Sequence, residues 1–349
     1  MNGNSAGFVI SFLVVLLGAP ALLIALNIYR AGTPTQMGTS YAHCDFIDSR
    51  RALASAKHER GRVLFFGLSN VMTSLRSDVA GQVLGRQVVN MGMNANLTNG
   101  VLYEMLEQVL KRDDMLVIVM PYFYFTAENR VDGQLAVVRD YIFDCSPTAY
   151  RRLSIGEFFK LSLIQRPSQT LEGVLRKIQS STGLNLGRKF RPPFPMFDPT
   201  TKGAALDGYG DWTLNDESQR PADYRAVVER SSITHLRTLA RGFNANGDSV
   251  SALRDFLAWA RSKGIRLFAS WPIFYAHHRD GLDQLTERIG EFYRGNDVPV
   301  IGKPEDFLYP IDSFFDSAYH STIQGAELYT RQLAAEMRPL IVEQAADPL

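Results

Sequence analysis

Three short segments of this 349-residue chain carry the residue types that acyl transfer needs. Gly67-Leu68-Ser69-Asn70 follows the apolar run Val63-Leu64-Phe65-Phe66. Asn90-Met91-Gly92-Met93-Asn94 follows Val88-Val89. Phe314-Phe315-Asp316-Ser317-Ala318-Tyr319-His320 lies near the C-terminus. A serine hydroxyl becomes a nucleophile when a histidine takes its proton, and a carboxylate on the other ring nitrogen fixes the tautomer. Ser69, His320 and Asp316 are the candidates for these roles, with Asp312 as a second candidate to orient His320. Backbone N–H groups at a helix start, or beside a glycine, can receive an oxyanion. That makes the amides of Ser69 or Asn70, and of Gly92, the oxyanion candidates, with the side chain of Asn94 or Asn70 as a further candidate donor. Each residue also has a plainer use: serine is a common helix cap, and Gly92 suits a turn. The Ser69 segment is not a G-x-S-x-G elbow, because Val71 stands where the second glycine belongs.

The elements that must position these residues are legible from periodicity. Val63–Phe66 is a short buried strand ending at Gly67. Val71, Leu75, Val79 and Val83 recur at four-residue spacing and predict one amphipathic helix. Val88-Val89 is a second strand, Leu97 to Val109 a second helix, and Met115 to Met120 a third strand stopped by Pro121. This alternation predicts a parallel sheet with right-handed crossovers. The pattern blurs over 125–220, with helical pieces near 155–164 and 169–180, a Pro-rich stretch at 191–195 and the Gly/Asp-rich LDGYGDW at 206–212. This stretch is an insertion, because α/β order resumes afterwards. Helices follow at 221–243 and 249–263, strands at Ile265–Trp271 and Val298–Ile301, a helix at 280–294 and a closing helix at 322–344. In such sheets, functional groups collect at the carboxyl ends of the strands. All three candidate segments stand at or near such loops. So do His277-His278, which lack the further ligands a metal site needs. Tyr122, Tyr124, Trp271, Tyr275 and Tyr319 lie near strand ends, where they could stack on sugars or simply pack.

Composition sets other bounds. The formal charge is +1, which gives no basic surface for nucleic acid. Phe8 to Leu26 is almost uninterrupted apolar sequence before the first charged side chain, Arg30. At 1.5 Å per residue it spans about 28 Å, close to a bilayer's hydrocarbon core. The absence of Lys and Arg before it favours a retained anchor over a cleavable signal peptide, the alternative reading. Charge does not fix its orientation. The expected organisation is an anchor at 1–30, a linker at 31–60 containing a short polar helix around 48–59, and one domain at 61–345. The cysteines, Cys44 and Cys145, belong to no metal-like cluster. They are either reduced and buried or, if the body is exported, joined in a disulfide.

Together these segments resemble the SGNH (GDSL-like) hydrolase superfamily, over about 61–124 and 249–340. The nearer likeness is to its single-pass, membrane-anchored members associated with bacterial cell-surface polysaccharide and teichoic-acid acylation. Gly67-x-Ser69-Asn70 stands in place of the first block, Asn90-x-Gly92 of the second, and Asp316 and His320 of the last. The Asp-to-His spacing here is four where the family has three, and Pro121-Tyr122-Phe123-Tyr124 replaces the third block's oxyanion asparagine. The resemblance implies a flavodoxin-like three-layer α/β/α fold with a mostly parallel sheet, behind a transmembrane helix. It also implies acyl transfer through an acyl-Ser69 to a cell-surface glycan, with an integral-membrane acyltransferase as donor partner and the domain facing the periplasm or cell exterior. No cofactor or metal is implied. A carbohydrate or lipid esterase and a catalytically silent scaffold of a polysaccharide assembly complex are the alternatives.

Overall fold

The structure is a computed structural model. It describes residues 18–33, 40–56, 61–95, 97, 99–126, 139, 141–145, 155–165, 167–183, 206–207, 209–276 and 281–345. Among these, the helices are α1 (18–30), α2 (Ser40–Ala56), α3 (Ser69–Ser74), α4 (Ser77–Leu84), α5 (Asn99–Val109), α6 (Ile155–Leu163), α7 (Pro167–Thr182), α8 (Tyr224–Leu239), α9 (Asp248–Ser262), α10 (Leu282–Gly295) and α11 (Ile323–Ala345). The strands are β1 (Val63–Gly67), β2 (Val88–Gly92), β3 (Met115–Val119), β4 (Arg266–Ser270), β5 (Val300–Ile301), β6 (Phe314–Ser317) and β7 (His320–Ser321). The chain divides into two compact units. One comprises Met1–Ile47 and Val131–Phe194; the other comprises Asp48–Arg130 and Pro195–Leu349.

The larger unit is built on a five-stranded sheet in the order β2-β1-β3-β4-β5, with every pairing parallel. This is the flavodoxin-like order, whose switch point lies between β1 and β3. Every residue of β1, β2 and β3 is buried, as expected of parallel strands covered on both faces. α4 packs against α11, and α5 packs against α9. At the amino ends of β1 and β3, Arg62 grips Asp114 through Nε–Oδ1 at 3.0 Å and Nη2–Oδ2 at 2.9 Å.

The strands and later helices fall close to their expected places, with three differences. The single helix expected over 71–83 is two, α3 and α4, broken at Leu75 and Arg76, both extended. Outside bonds hold the break: Ser74 Oγ accepts from the Ser321 amide at 3.3 Å, and the Arg76 amide donates to Thr330 Oγ1 at 3.0 Å. Second, much of the expected 31–60 linker is the 17-residue α2. Third, only 131–194 of the 125–220 insertion leaves the larger unit, while 195–220 remains in it. The expected anchor falls largely on residues outside those described, and among the described residues no helix is long and apolar enough to cross a membrane.

Two glycines let α3 sit hard against the strand ends. Gly67 and Gly92 are paired across β1 and β2. A Cβ on Gly92 would lie 2.1 Å from the Met72 amide nitrogen, and one on Gly67 would lie 2.3 Å from the Val119 oxygen. Gly92 is therefore a strand-end residue rather than a turn glycine, and it is the surface on which α3 rests. Gly92→Ala should lower stability by roughly 1–3 kcal/mol, the range of core overpacking. Gly100→Ala, in α5 with open space around the new Cβ, should be neutral or mildly stabilising. Denaturant midpoints of the two variants check this, and equal midpoints would contradict it.

Candidate active site

Ser69 opens α3, one residue after the helix cap Leu68, and is half-buried. It is not the capping serine that its position after a strand suggested. In the first turn, the Ser69 and Asn70 amides have no preceding helical carbonyl to bond. The Asn70 side chain is engaged locally. Its Oδ1 accepts from the Leu68 amide at 3.1 Å, and its Nδ2 donates to the Val119 carbonyl at 2.9 Å. Buried and bonded across to the end of β3, it shapes the turn from β1 into α3.

His320 and Asp316 stand on the β6–β7 hairpin, whose turn is Ala318-Tyr319. His320 Nδ1 lies 2.7 Å from Asp316 Oδ1. Within the turn, Ser317 Oγ accepts from the Tyr319 and His320 amides, both at 3.2 Å. Burial raises the Asp316 carboxyl, but its bond to His320 and the charge of that ring outweigh burial and hold it below the usual carboxylate range. Asp312, the other expected orienter, turns away to Tyr224 and Arg225. The structure therefore pairs His320 with Asp316 and not with Asp312.

The hairpin is tied to the far end of the helix that Ser69 begins. Ser74 Oγ donates to the Tyr319 carbonyl at 3.3 Å. Asn215 Nδ2 bridges the Thr73 carbonyl, at 2.9 Å, and the Ser321 carbonyl, at 2.6 Å. Tyr319 is buried among rings, with centroids 4.8 Å from Phe274, 4.9 Å from His235 and 5.7 Å from Phe123. These contacts hold the residue beside His320 in place.

The expected donor at Gly92 is already committed: its amide donates to Asn90 Oδ1 at 2.8 Å. Asn90 in turn donates through Nδ2 to the Val71 carbonyl at 3.2 Å and to Asp211 Oδ1 at 3.0 Å. Asp211 also receives the Ser77 amide at 2.5 Å and the Ser77 hydroxyl at 2.8 Å. Buried Arg50 closes the group by donating to the Asn90 and Gly210 carbonyls. Burial brings the Arg50 guanidinium down to about 10. Asn94 sits in the loop after β2, where its carbonyl accepts from the Leu97 amide at 3.1 Å.

Sequence reasoning missed Asn215, Asp211 and His235. The 206–212 stretch is Gly/Asp-rich in sequence, but Asp211 is buried as a buttress behind β2. His235, a lone histidine on α8, carried no signal in the sequence. It stacks on Phe123 with centroids 5.3 Å apart. Of the aromatics near strand ends, Tyr122, Tyr124, Trp271 and Tyr319 are buried packing residues; only Tyr275 keeps partial exposure. His277-His278 lie outside the described residues. Among the described residues, no group of three or more His, Cys, Asp or Glu side chains could hold a metal ion.

No family model matches the chain, and no curated protein matches it. A solved structure from Streptococcus pneumonia, provisionally described as a platelet activating factor, is similar over 85% of this chain and 91% of its own, at 9% identity and a TM-score of 0.33. A likeness at that score decides nothing about this chain. Its assignment as an α/β protein with a parallel five-stranded sheet rests on its own strand order.

Two outcomes follow from this geometry. Asp316→Asn should lower turnover of an activated ester by on the order of 10⁴, as when a triad carboxylate is neutralised. Asp312→Asn should do far less, and steady-state rates showing the reverse ranking would assign the orienting role to Asp312. For His235, burial first and the charge of His320 second lower the ring from 6.5 to about 4. Between those values the unfolded chain binds more protons. The neutral ring's contribution is thus present above pH 6.5 and lost as pH falls toward 4. His235→Phe, which keeps the stacking, should flatten stability across that window; unfolding midpoints that fall as steeply as in the parent protein would contradict this.

Proposed function

We propose that the protein is a serine acyl-ester enzyme that works through an acyl-Ser69 intermediate. The observation that carries this reading is the His320–Asp316 pair at 2.7 Å on a hairpin bonded to the helix that Ser69 begins. With Nδ1–H directed to Asp316, the Nε2 lone pair of His320 is left to act as base. Ser69 Oγ gives its proton to Nε2 and bonds to the carbonyl carbon. The tetrahedral oxyanion is received by the Ser69 and Asn70 amides. It collapses as His320 returns the proton to the departing oxygen or sulfur, leaving the acyl-serine. An incoming hydroxyl then loses its proton to His320 and takes the acyl group, restoring Ser69.

The acceptor we favour is a sugar hydroxyl of a cell-surface glycan, with an integral-membrane acyltransferase as upstream donor. The domain would be held at the inner membrane by the N-terminal segment and face the periplasm or exterior. The Cys44–Cys145 bond suits that oxidising side. A second reading, a silent scaffold, has its own support: the Gly92 amide and the Asn70 side chain are both occupied, leaving few groups for an oxyanion whose donors are worth about 3–4 kcal/mol each.

The fate of the acyl group separates the readings. A transferase must let a bound hydroxyl outcompete bulk water, which alignment permits because effective molarities reach roughly 10⁵ M or more. With a small activated acetyl ester, hydrolysis should be slow alone, and acetylated sugar should appear by mass spectrometry when glycan is added. Rapid hydrolysis indifferent to any glycan would make the protein an esterase. A folded protein that consumes no ester, with or without glycan, would be the scaffold.

A further inference from the structure

The smaller unit buries a polar cluster beside apolar side chains such as Ile142, Phe143 and Leu161. Arg30 of α1 is fully buried; it donates to Asn27 Oδ1 at 3.1 Å and is paired with Asp144. Asn27 also accepts from Thr170 Oγ1 at 2.9 Å and donates to the Ser162 carbonyl at 3.4 Å. Gly173 on α7 leaves room for this arginine, since a Cβ there would lie 2.5 Å from Arg30 Cδ. The inward residues of α7 are thus Gln169, Thr170 and Gly173.

Among its exposed side chains, an apolar set follows the helical repeat. On α6, Ile155, Phe159 and Leu163 recur every four residues and are 78%, 46% and 52% exposed. On α7, Leu171 and Leu175 are 57% and 45% exposed. On α1, Leu22 is 61% exposed. In water, the stripe at this spacing turns to the core and the polar face turns out. A bonded polar cluster such as Arg30, Asn27 and Asp144 inside, with apolar side chains left exposed outside, suits helices whose surroundings are lipid.

We propose that the exposed apolar side chains of α6 and α7 lie in the interfacial layer of a lipid bilayer, as a contact separate from any spanning anchor. The occupant is argued from the chain itself. The apolar run Phe8–Leu26 extends over the first part of α1, in the same unit, so that unit holds the segment with membrane-length hydrophobicity. α6 and α7, of nine and 16 residues, are about 14 and 24 Å long. Both fall short of the roughly 30 Å hydrocarbon core, so they suit lying in the interface rather than crossing it. Lys177 on α7 provides basic charge that anionic headgroups attract. The proposal is independent of the chemistry at Ser69.

Because Cys44 and Cys145 are bonded to each other, an introduced thiol can be labelled alone. Full-length Phe159→Cys and Leu171→Cys would each carry an environment-sensitive fluorophore, in vesicles of phosphatidylethanolamine and phosphatidylglycerol. Arg288→Cys, exposed in the larger unit, is the control. Emission from 159 and 171 should shift to the blue and be quenched by nitroxide-bearing lipid, while 288 shows neither effect. Water-like emission at both positions would overturn the proposal. So would a blue shift that lipid nitroxide does not quench, which would mean that a second copy of the chain covers the face. If either variant fails to fold, judged by circular dichroism and the intact disulfide, Ile155→Cys at the most exposed position of α6 takes its place with the same two outcomes.

Discussion

The arrangement around Ser69 depends on how closely α3 approaches the ends of β1 and β2. Gly67 and Gly92 make that approach possible, because any side chain at Gly92 would occupy the space of the Met72 backbone. With α3 seated there, Ser69 sits at the switch point of the sheet, where β1 gives way to β3. The far end of the helix reaches β7, so the hydroxyls of Ser74 and Ser321 can bond across. A helix of six residues has little stability of its own, because nucleation is costly and helices this short are marginal in isolation. Contacts at both of its ends must therefore hold it.

Those contacts are polar and buried. Asn90 bonds to the Val71 carbonyl on one side and to Asp211 on the other. Asp211 fixes the start of α4 through the Ser77 amide and hydroxyl. Asn215 joins α3 to β7. A buried network of this kind costs free energy when any member loses its partner, and so it specifies one arrangement rather than a family of nearby ones. That is the property a nucleophile and its base require, since small misplacements of reacting groups are expensive.

Much of this was legible in the sequence, for physical reasons. The buried strands announced themselves as short apolar runs, because a parallel strand covered on both faces has no polar alternation. Their order along the chain led to the parallel sheet. Asp316 and His320 were readable as neighbours because a short hairpin brings residues four apart together. The break at Leu75–Arg76 was not readable, because the hydrophobic stripe runs through it and the bonds that cause it come from β7 and α11. The roles of Asp211 and Asn215 were hidden because they lie far from Ser69 in sequence, in a stretch whose glycines and aspartates look like solvated loop. Gly92 was noticed for the right property, close backbone approach, but the approaching partner is α3. The exposure of apolar side chains on α6 and α7 could not be read either, since periodicity reveals a stripe but not which way it faces.

The central claim is that Ser69 carries the acyl group. The most direct measurement is to quench the protein during turnover of an activated acetyl ester and map acetyl groups on its peptides by mass spectrometry. The account predicts acetyl on Ser69 in the parent protein, and none at that peptide in Ser69→Ala or His320→Ala. Ester consumed at an undiminished rate by Ser69→Ala, with Ser69 never acetylated in the parent, would contradict it.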